Sequence, residues 1–310
     1  MKRLVYIMAW GVVKGISLLP LRLLYIFSDV VAWLMHTVVR YRRGVVKRNL
    51  RSSFPDRTPR EISRISREFY RFLSDYFVET VKLASLSDEE IKERLVVENI
   101  EAVNSSVKEG RSVSLFLGHY CNWEWVSSLP LHIDPSAVCG QIYHPLESSV
   151  ADRVFLKLRS RYGAVSITME DTLRTIAGWY RSGKPSVVGY IADQVPGYGS
   201  IHRWVDFLNH DTPVFTGAER ISRMVHADCF YVHLSRLKRG VYSLRFVPIA
   251  EDAASVAPFT VTDAFFHHLE EQIESAPPYW LWSHRRWKRT REGFEARYGA
   301  EEAARRLSHL

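Results

Sequence analysis

The chain has 310 residues, 46% of them hydrophobic and 25% charged, a composition that is sufficient for a folded core and excludes a disordered chain. Lysine and arginine number 42 against 34 acidic residues, so the formal charge of +8 favours an anionic partner such as nucleic acid, an anionic membrane face or an acidic carrier. The cysteines Cys121, Cys139 and Cys229 lie far apart without a CxxC pair, which argues against disulfides and a zinc site and favours a reducing cytoplasm.

The first forty residues are mostly apolar. Within residues 4–39 the apolar run is interrupted by Lys14, Pro20, Arg22 and Asp29, so no stretch reaches the ~18 uninterrupted apolar residues of a confident membrane span. The segment therefore predicts either a tilted span with a break at Pro20 or two interfacial helices. A secretory signal is disfavoured because no small-residue cleavage site ends the run.

A basic stretch without any acid follows over residues 40–55. It contains Arg40, Arg42, Arg43, Lys47, Arg48 and Arg51. Under the positive-inside rule this stretch keeps the downstream chain in the cytoplasm, and it would also bind anionic lipid heads at roughly 1 kcal/mol per basic residue. We therefore predict two parts: a membrane-associated helix or hairpin with its basic flank over residues 1–55, and a cytoplasmic domain over residues 56–310.

The remainder of the chain alternates helical and strand patterns. Residues 57–97 have helical spacing, with Thr58 and either Ser85 or Ser87 as N-caps. Beyond them, apolar strands are predicted at 112–117, 138–143, 164–168, 186–191, 229–234 and 242–249, and helices near 150–162, 170–182, 214–226 and 261–275. Strands that are apolar on both faces predict an α/β fold with helices on each side of the sheet. The KRG turn before the last strand predicts a hairpin, so we expect a mixed, largely parallel sheet.

The stretch LGHYCNWEW, residues 117–125, carries the clearest chemical signal. His119 follows a buried strand, at the edge of the sheet where α/β proteins bind ligands. On a regular helix Glu124 would point about 140° away from it, so the two meet only if His119 lies in the turn before a helix over WVSSLPL and Glu124 in its first turn. A carboxylate on one ring nitrogen would make the other a general base. A satisfied core or surface contact remains the alternative, and Cys121 as a nucleophile is disfavoured.

Six blocks of sequence resemble one family in order and spacing. They are NLRSSFP (49–55), GHYCNWE (118–124), YHPLESSVADRVFLKLRSRYG (143–163), ADQVPG (192–197), TPVFTGAERISR (212–223) and PPYWLWSHRRWK (277–288). GHYCNWE resembles the H-x4-D/E signature of lysophospholipid and lipid A acyltransferases, and together the blocks resemble the late acyltransferases of lipid A biosynthesis. The resemblance covers residues 4–290 and implies a glycerolipid acyltransferase-like fold.

This resemblance implies direct acyl transfer, without an enzyme nucleophile, a cofactor or a metal. The donor would be an acyl carrier protein or acyl-CoA thioester, and the acceptor a hydroxyl of a lipid A precursor that carries phosphate groups. His119 would be the general base and Glu124 would orient it. Arg159 and Arg161 match the family's R-x-R-x-G element and would hold the acceptor phosphate, with Arg161 preferred because it lies beside Gly163 at the helix end.

Other motif residues are expected at or near the same site. Asp193 and Gln194 follow a strand and would shape the site, or simply form a turn. Thr212, Thr216 and Gly217 predict a helix N-terminus that contacts phosphate or pantetheine, with an ordinary cap as the alternative. Aromatic and basic residues alternate near the C-terminus and predict a patch that contacts lipid head groups or an acidic carrier protein. They are Trp280, Trp282, His284, Arg285, Arg286 and Trp287.

Several rival functions stay open at this point. A lysophospholipid or amino-lipid acceptor is the nearest one. A membrane-associated lipid hydrolase is more remote because no G-x-S-x-G elbow is present, and a non-enzymatic lipid-binding protein would leave the His119/Glu124 junction without a role. Zinc and dinucleotide motifs are missing, and no nucleic-acid partner is expected. The resemblance places the protein at the bacterial inner membrane with its catalytic domain on the cytoplasmic side.

Overall fold

The N-terminal apolar segment folds as two helices that meet at Pro20. In the computed structural model, which describes residues 2–308, α1 spans Lys2–Ser17 and α2 spans Leu21–Trp33, continued by a π-helical turn over Leu34–Val38. Proline lacks the N–H that a helix interior needs, which accounts for the break between them. Within the described residues, Leu21–Val38 is the one helix whose length and apolar composition would allow it to cross a membrane.

Three helices lead from this segment to the sheet. α3 spans Arg43–Ser53, α4 spans Pro59–Lys82 and α5 spans Asp88–Arg94. α4 and α5 each begin with a capping box. The side chains of Thr58 and Ser87 accept hydrogen bonds from the backbone N–H groups three residues on, and the glutamate at that third position accepts from the backbone N–H of the capping residue. Thr58 is thus confirmed as an N-cap, and Ser87 rather than Ser85 is the second.

A seven-stranded sheet forms the centre of the molecule. Its strands are β1 (Leu95–Val97), β2 (Val113–Leu117), β3 (Val138–Tyr143), β4 (Val165–Thr168), β5 (Ser186–Ile191), β8 (Asp228–Lys238) and β9 (Val241–Ala250). The remaining two strands, β6 (Arg203–Asp206) and β7 (Asp211–Val214), pair only with each other. The order across the sheet is β1-β9-β8-β2-β5-β3-β4. All neighbours are parallel except the β8–β9 hairpin. The predicted mixed, largely parallel α/β sheet is confirmed.

Helices cover both faces of this sheet. They are α6 (Glu101–Lys108), α7 (Ser149–Arg159), α8 (Thr172–Arg181), α9 (Gly217–Met224) and α10 (Thr260–Ser275), followed by the C-terminal α11 (Arg291–Tyr298) and α12 (Ala300–Leu307). Two predictions differ from the structure. WVSSLPL forms a 3₁₀ helix with Pro130 inside it rather than an α-helix. The helix expected at 214–226 begins only at Gly217, because β7 runs to Val214.

Polar contacts attach α2 to α4. The buried Asp75 carboxylate accepts hydrogen bonds from Ser28 at 2.7 Å and from Arg236 at 2.8 Å. Arg239, in the β8–β9 turn, bridges Asp75 at 2.6 Å and Asp29 of α2 at 2.8 Å. Glu79 lies one turn further along α4, and its carboxylate accepts a hydrogen bond from the Tyr25 hydroxyl of α2 at 2.8 Å. One side of α2 is therefore bound to the α/β domain, and the other side exposes apolar residues.

The Asp75 network should contribute strongly to stability. Replacing Asp75 by alanine leaves Arg236, whose side chain is 13% exposed, as a buried cation without this partner. Breaking a buried ion pair in this way costs about 3–5 kcal/mol, so we expect a loss of that size in the free energy of unfolding, measured by chemical denaturation in detergent. Arg64→Ala, which removes an exposed pair at 3.9 Å from Glu68, is the matched control and should change little. Equal losses in the two variants would contradict the assignment.

Candidate active site

The loop that carries His119 is held by the C-terminal part of the chain. Immediately beyond β2, the carbonyl oxygen of His119 accepts from Leu281 N at 3.1 Å, and Cys121 N donates to the oxygen of Tyr279 at 2.9 Å. Tyr120 and Trp280 form an isolated antiparallel bridge between these contacts. The backbone from 119 to 121 is therefore fixed by a short two-stranded pairing.

Asp193 is the carboxylate that contacts the histidine ring. Its Oδ1 lies 2.5 Å from His119 Nδ1, and its Oδ2 accepts from His119 N at 2.9 Å and from Trp280 Nε1 at 2.8 Å. Gln194 Nε2 lies 3.1 Å from His119 Nε2. A carboxylate on Nδ1 favours the tautomer protonated there, so Nε2 is left as the hydrogen-bond acceptor. Of the ring nitrogens, Nε2 is the one that can remove a proton.

The environment of Asp193 keeps it ionised. Burial opposes its charge, but His119 and the Trp280 N–H outweigh burial and lower the pKa of Asp193 to about 2. Its side chain is 3% exposed, whereas that of His119 is 16% exposed and lines a cavity. A buried permanent anion behind a partly accessible imidazole is the arrangement of a general base and its orienting acid.

The predicted pairing of Glu124 with His119 is wrong. Glu124 Oε2 accepts from Arg159 Nε at 2.8 Å and its Oε1 from Arg159 Nη2 at 2.5 Å, while the Tyr76 hydroxyl lies 3.2 Å from Oε1. The chain turns through Cys121, whose φ is +49°, and enters a 3₁₀ helix, so the α-helical first turn on which the prediction depended is not formed. Asp193 takes the expected place because β5 is the parallel neighbour of β2 and both strands end at the same edge of the sheet.

The two arginines of the R-x-R-x-G element separate. Arg159, the last residue of α7, lines the cavity and forms a bidentate ion pair with Glu124. Burial opposes the charge of Arg159, but the Glu124 carboxylate raises its pKa above the usual value. Arg161 instead donates to the carbonyl oxygens of Leu83, at 2.8 Å, and Leu86 beyond α4. The preference for Arg161 as the phosphate ligand is therefore corrected: its guanidinium is bound to the backbone away from the cavity.

Thr212, Thr216 and Gly217 do not form a single helix start. Thr212 lies in β7, where its hydroxyl donates to His210 O at 2.8 Å and accepts from Trp287 Nε1 at 2.8 Å, so its expected place at a helix N-terminus is wrong. Thr216 precedes α9 but makes no capping hydrogen bond with its side chain. Gly217, the first residue of α9, lines the cavity.

The predicted surface patch near the C-terminus is mostly interior. Trp280, Trp282 and Arg286 are buried, and Arg286 Nη2 donates to Pro213 O at 2.9 Å. Of that group, Arg285 is exposed and His284 is partly buried. The WLW segment therefore lies mostly inside the protein, where it supports the His119 loop and Asp193.

Glu79 of α4 supports the same loop from the opposite side. Its Oε2 accepts from Asn122 Nδ2 at 2.7 Å, and its backbone oxygen accepts from Trp125 Nε1 at 3.0 Å. Burial raises the pKa of Glu79, which is surrounded by hydroxyl and amide donors. Cys121 is fully buried and burial raises its pKa, so it lacks the exposure and thiolate character of a nucleophile.

A cavity of about 860 Å³, the main cavity, opens beside His119. Leu115, Gly189 and Gln141 stand side by side in β2, β5 and β3 and share one face of the sheet. With the 3₁₀ helix over Trp125–Leu131 they enclose a largely apolar space; further lining residues on this side are Leu117, Val126, Leu129, Ile133, Cys139, Val187 and Ile191. Within residues 2–308, no cluster of three or more His, Cys, Asp or Glu side chains could hold a metal. The site combines a base, an arginine and an apolar space.

His284 should make stability depend on pH. Its Nε2 accepts from Val195 N at 3.5 Å. Burial lowers the pKa of His284 from 6.5 to about 4. Asp193 opposes this shift, but nearby Arg286, His119 and Lys288 add to it. Between these values the unfolded chain binds the proton and the folded one does not, so folding stability should fall as pH drops from about 6.5 to 4.

Unfolding free energies across this pH range test the assignment. His284→Gln keeps an acceptor but does not titrate, so its pH profile should be flatter than that of the parent chain. An unchanged slope in the variant would assign the pH dependence to other groups.

The chain is similar to a known family over most of its length. The family model described as bacterial lipid A biosynthesis acyltransferase matches residues 1–289, and no curated protein matches the chain. The match spans the N-terminal helices, the sheet and the WLW segment that holds the histidine loop. The chain therefore belongs to the bacterial lipid A biosynthesis acyltransferase family and is an acyltransferase.

Proposed function

We propose that this acyltransferase moves a fatty acyl chain from an acyl carrier protein or CoA thioester to a hydroxyl of a lipid A precursor, with His119 as the general base. The observation that carries the proposal is the His119–Asp193 pair, at 2.5 Å, beside a largely apolar cavity. A base next to an apolar space suits a reaction between an alcohol and a long acyl chain. The family supplies the expectation of a lipid acceptor.

The chemistry follows from the orientation of the ring. Nε2 of His119 removes the proton from the acceptor hydroxyl as the oxygen attacks the thioester carbonyl carbon. The tetrahedral intermediate then expels the thiolate, the C–S bond breaks, and the proton passes to sulfur, so the products are an ester and a free thiol. Asp193 holds the ring and stabilises the imidazolium between the two transfers. Gln194, which lies against Nε2, is displaced from it by the acceptor hydroxyl.

Arg159 is the one arginine or lysine among the cavity-lining residues. Two of its five N–H donors bind Glu124, so donors remain for the developing oxyanion of the thioester. The backbone N–H groups of His119, Tyr120 and Cys121 already have acceptors, so none of these three is free for this role. Glu124 is then a positioning residue that acts through Arg159. This replaces its expected role on His119.

The apolar part of the main cavity suits the acyl chain of the donor. Leu117 and Ile191 end the two strands next to the histidine, whereas Cys139 lies near the opposite end of β3 and Ile133 follows the 3₁₀ helix. Each buried CH₂ gains about 0.8 kcal/mol, so a chain of many methylenes is bound firmly by such a wall. The length that fits sets the preference for donor chain length.

The N-terminal helices suit an interfacial position at the cytoplasmic face of the inner membrane. They expose Leu4, Ile7, Met8, Val12, Ile16, Leu23, Ile26, Phe27, Val30 and Trp33. α2 is bound to α4 and to the β8–β9 turn through Ser28, Asp29 and Tyr25, so a spanning α2 would draw those charged contacts into the bilayer. Of the two readings of this segment, paired interfacial helices over residues 1–55 with a cytoplasmic domain over 56–310 fit better.

A transfer assay with defined substrates tests the proposal. Purified protein in mixed micelles is given labelled acyl carrier protein or CoA thioester with either a lipid A precursor or a lysophospholipid. We expect transfer to the lipid A precursor. Transfer only to the lysophospholipid would favour the alternative acceptor, cleavage of a lipid ester without transfer would favour a hydrolase, and binding without turnover would favour a non-enzymatic lipid-binding protein.

His119→Ala should lower kcat by about 10²–10⁴-fold, the usual contribution of general acid–base catalysis, without loss of the fold. Asp193→Asn should also lower kcat, because an amide does not enforce the same tautomer. Cys121→Ser is the matched control in the same loop and should keep its turnover, since the hydroxyl can replace the thiol as donor to Leu234 O. A His119→Ala protein with full turnover would disprove the role of the base.

Gly189→Val should shorten the preferred acyl chain. A Cβ at Gly189 would have as its nearest neighbour only Gly140 O, at 4.0 Å, so valine extends into open space on the face that it shares with Leu115 and Gln141. The ratio of kcat/KM for short and long thioesters should therefore shift toward the short ones. Gly140→Val is the control: its side chain would meet Ile167 and Trp179 at 3.1 Å and should destabilise the fold. An unchanged ratio in Gly189→Val would exclude this region as the acyl site.

A further inference from the structure

A second, smaller cavity lies between the end of the N-terminal segment and the catalytic loop. This side groove measures about 240 Å³ and is lined by Tyr41, Arg42, Leu73, Tyr76, Phe77, Trp123, Leu281, Ser283 and His284. Its walls come from the basic stretch after the π-helical turn, from α4, and from the segment that pairs with the His119 loop. It joins the membrane-facing part of the molecule to the catalytic part.

The side groove adjoins the site of chemistry. Trp123 lines both the side groove and the main cavity, its ring centroid lies 5.1 Å from that of His119, and it stacks on Tyr76 at 4.1 Å. On the other side, His284 contacts the backbone of Val195, next to Gln194. A group in the side groove is therefore separated from the histidine by little more than one indole ring.

Arg42 gives the side groove its charge. It is the arginine among the lining residues, and none of them is acidic. Arg42 is exposed, and among residues 2–308 it makes one hydrogen bond, from Nη1 to Ser283 O at 3.1 Å, so most of its donors are open to a ligand. That contact also fixes the guanidinium against the segment that supports the catalytic loop.

We propose that the side groove binds a phosphate group of the lipid acceptor, with Arg42 as its cation. The inference rests on the proposed function, and it gives the acceptor phosphate a binding site. The other two candidate ligands are already engaged, because Arg161 binds backbone oxygens and Arg159 binds Glu124. A space of about 240 Å³ admits a phosphate with the adjoining part of a sugar but not a whole lipid. The acyl chains of the acceptor then lie along the exposed apolar side of α1 and α2, while its hydroxyl is presented beside Trp123.

A cycle of enzyme and substrate variants tests the proposal. The parent protein and Arg42→Gln are assayed with a phosphorylated lipid A precursor and with the same lipid after removal of its phosphates. A hydrogen bond to a charged group is worth about tenfold to a hundredfold in affinity, so Arg42→Gln should raise KM by that factor for the phosphorylated acceptor. KM for the dephosphorylated acceptor should stay within about twofold. Arg42→Lys, which keeps the charge, should restore part of the loss.

Controls separate the side groove from general attraction to anionic lipid. Arg64→Gln, an exposed arginine of α4 outside the side groove, should leave KM unchanged for both acceptors. Each assay is repeated in micelles with and without an anionic phospholipid. An Arg42 effect that appears only with bulk anionic lipid, or is equal for the two acceptors, would overturn the phosphate site while acyl transfer stands. Lack of transfer to every acceptor by the parent protein would overturn the proposed function and this inference together.

Discussion

The buried carboxylate of Asp193 is the group on which the arrangement around His119 depends. It accepts hydrogen bonds from the ring and the backbone of His119 and from the indole of Trp280. A charge in the interior is tolerated only when such donors satisfy it, so Trp280 and His119 are confined to one arrangement around it. Asn49 also holds the segment that carries Trp280 in place, since its amide donates to the carbonyl oxygens of Trp282 and His284 at 2.9 Å. Segments near residues 49, 119, 193 and 280 meet here.

The sequence patterns were sufficient for the architecture. Apolar runs and turn residues predicted β2, β3, β5 and the β8–β9 hairpin closely, because burial on both faces of a strand leaves a continuous apolar signal. The N-cap at Thr58 is predictable for a similar reason, since capping interactions are made by residues only three apart. Features that depend on local spacing can be predicted without knowledge of the tertiary structure.

The partners of the site residues were harder to predict. The spacing predicts that Glu124 meets His119 at the start of a helix, yet the loop turns away from α-helical geometry and Glu124 contacts Arg159 of α7. Asp193 was recognised as a residue at a strand end, but its contact with His119 depends on β5 lying beside β2, which is a property of strand order. Arg161 shows the same limit, because its acceptors in the turn after α4 are far away in sequence. Such pairings become visible only once the topology is known.

The attachment of α2 to the α/β domain has a practical consequence. Tyr25 contacts one carboxylate oxygen of Glu79, and the other accepts from Asn122 in the loop that follows His119, so three residues connect the N-terminal helices to that loop. Trimming the first forty residues would therefore remove a structural support of the His119 loop along with the exposed apolar helices. Soluble versions of this enzyme are better sought by replacing the outward-facing apolar side chains of α1 and α2 with polar ones while Tyr25, Ser28 and Asp29 are retained.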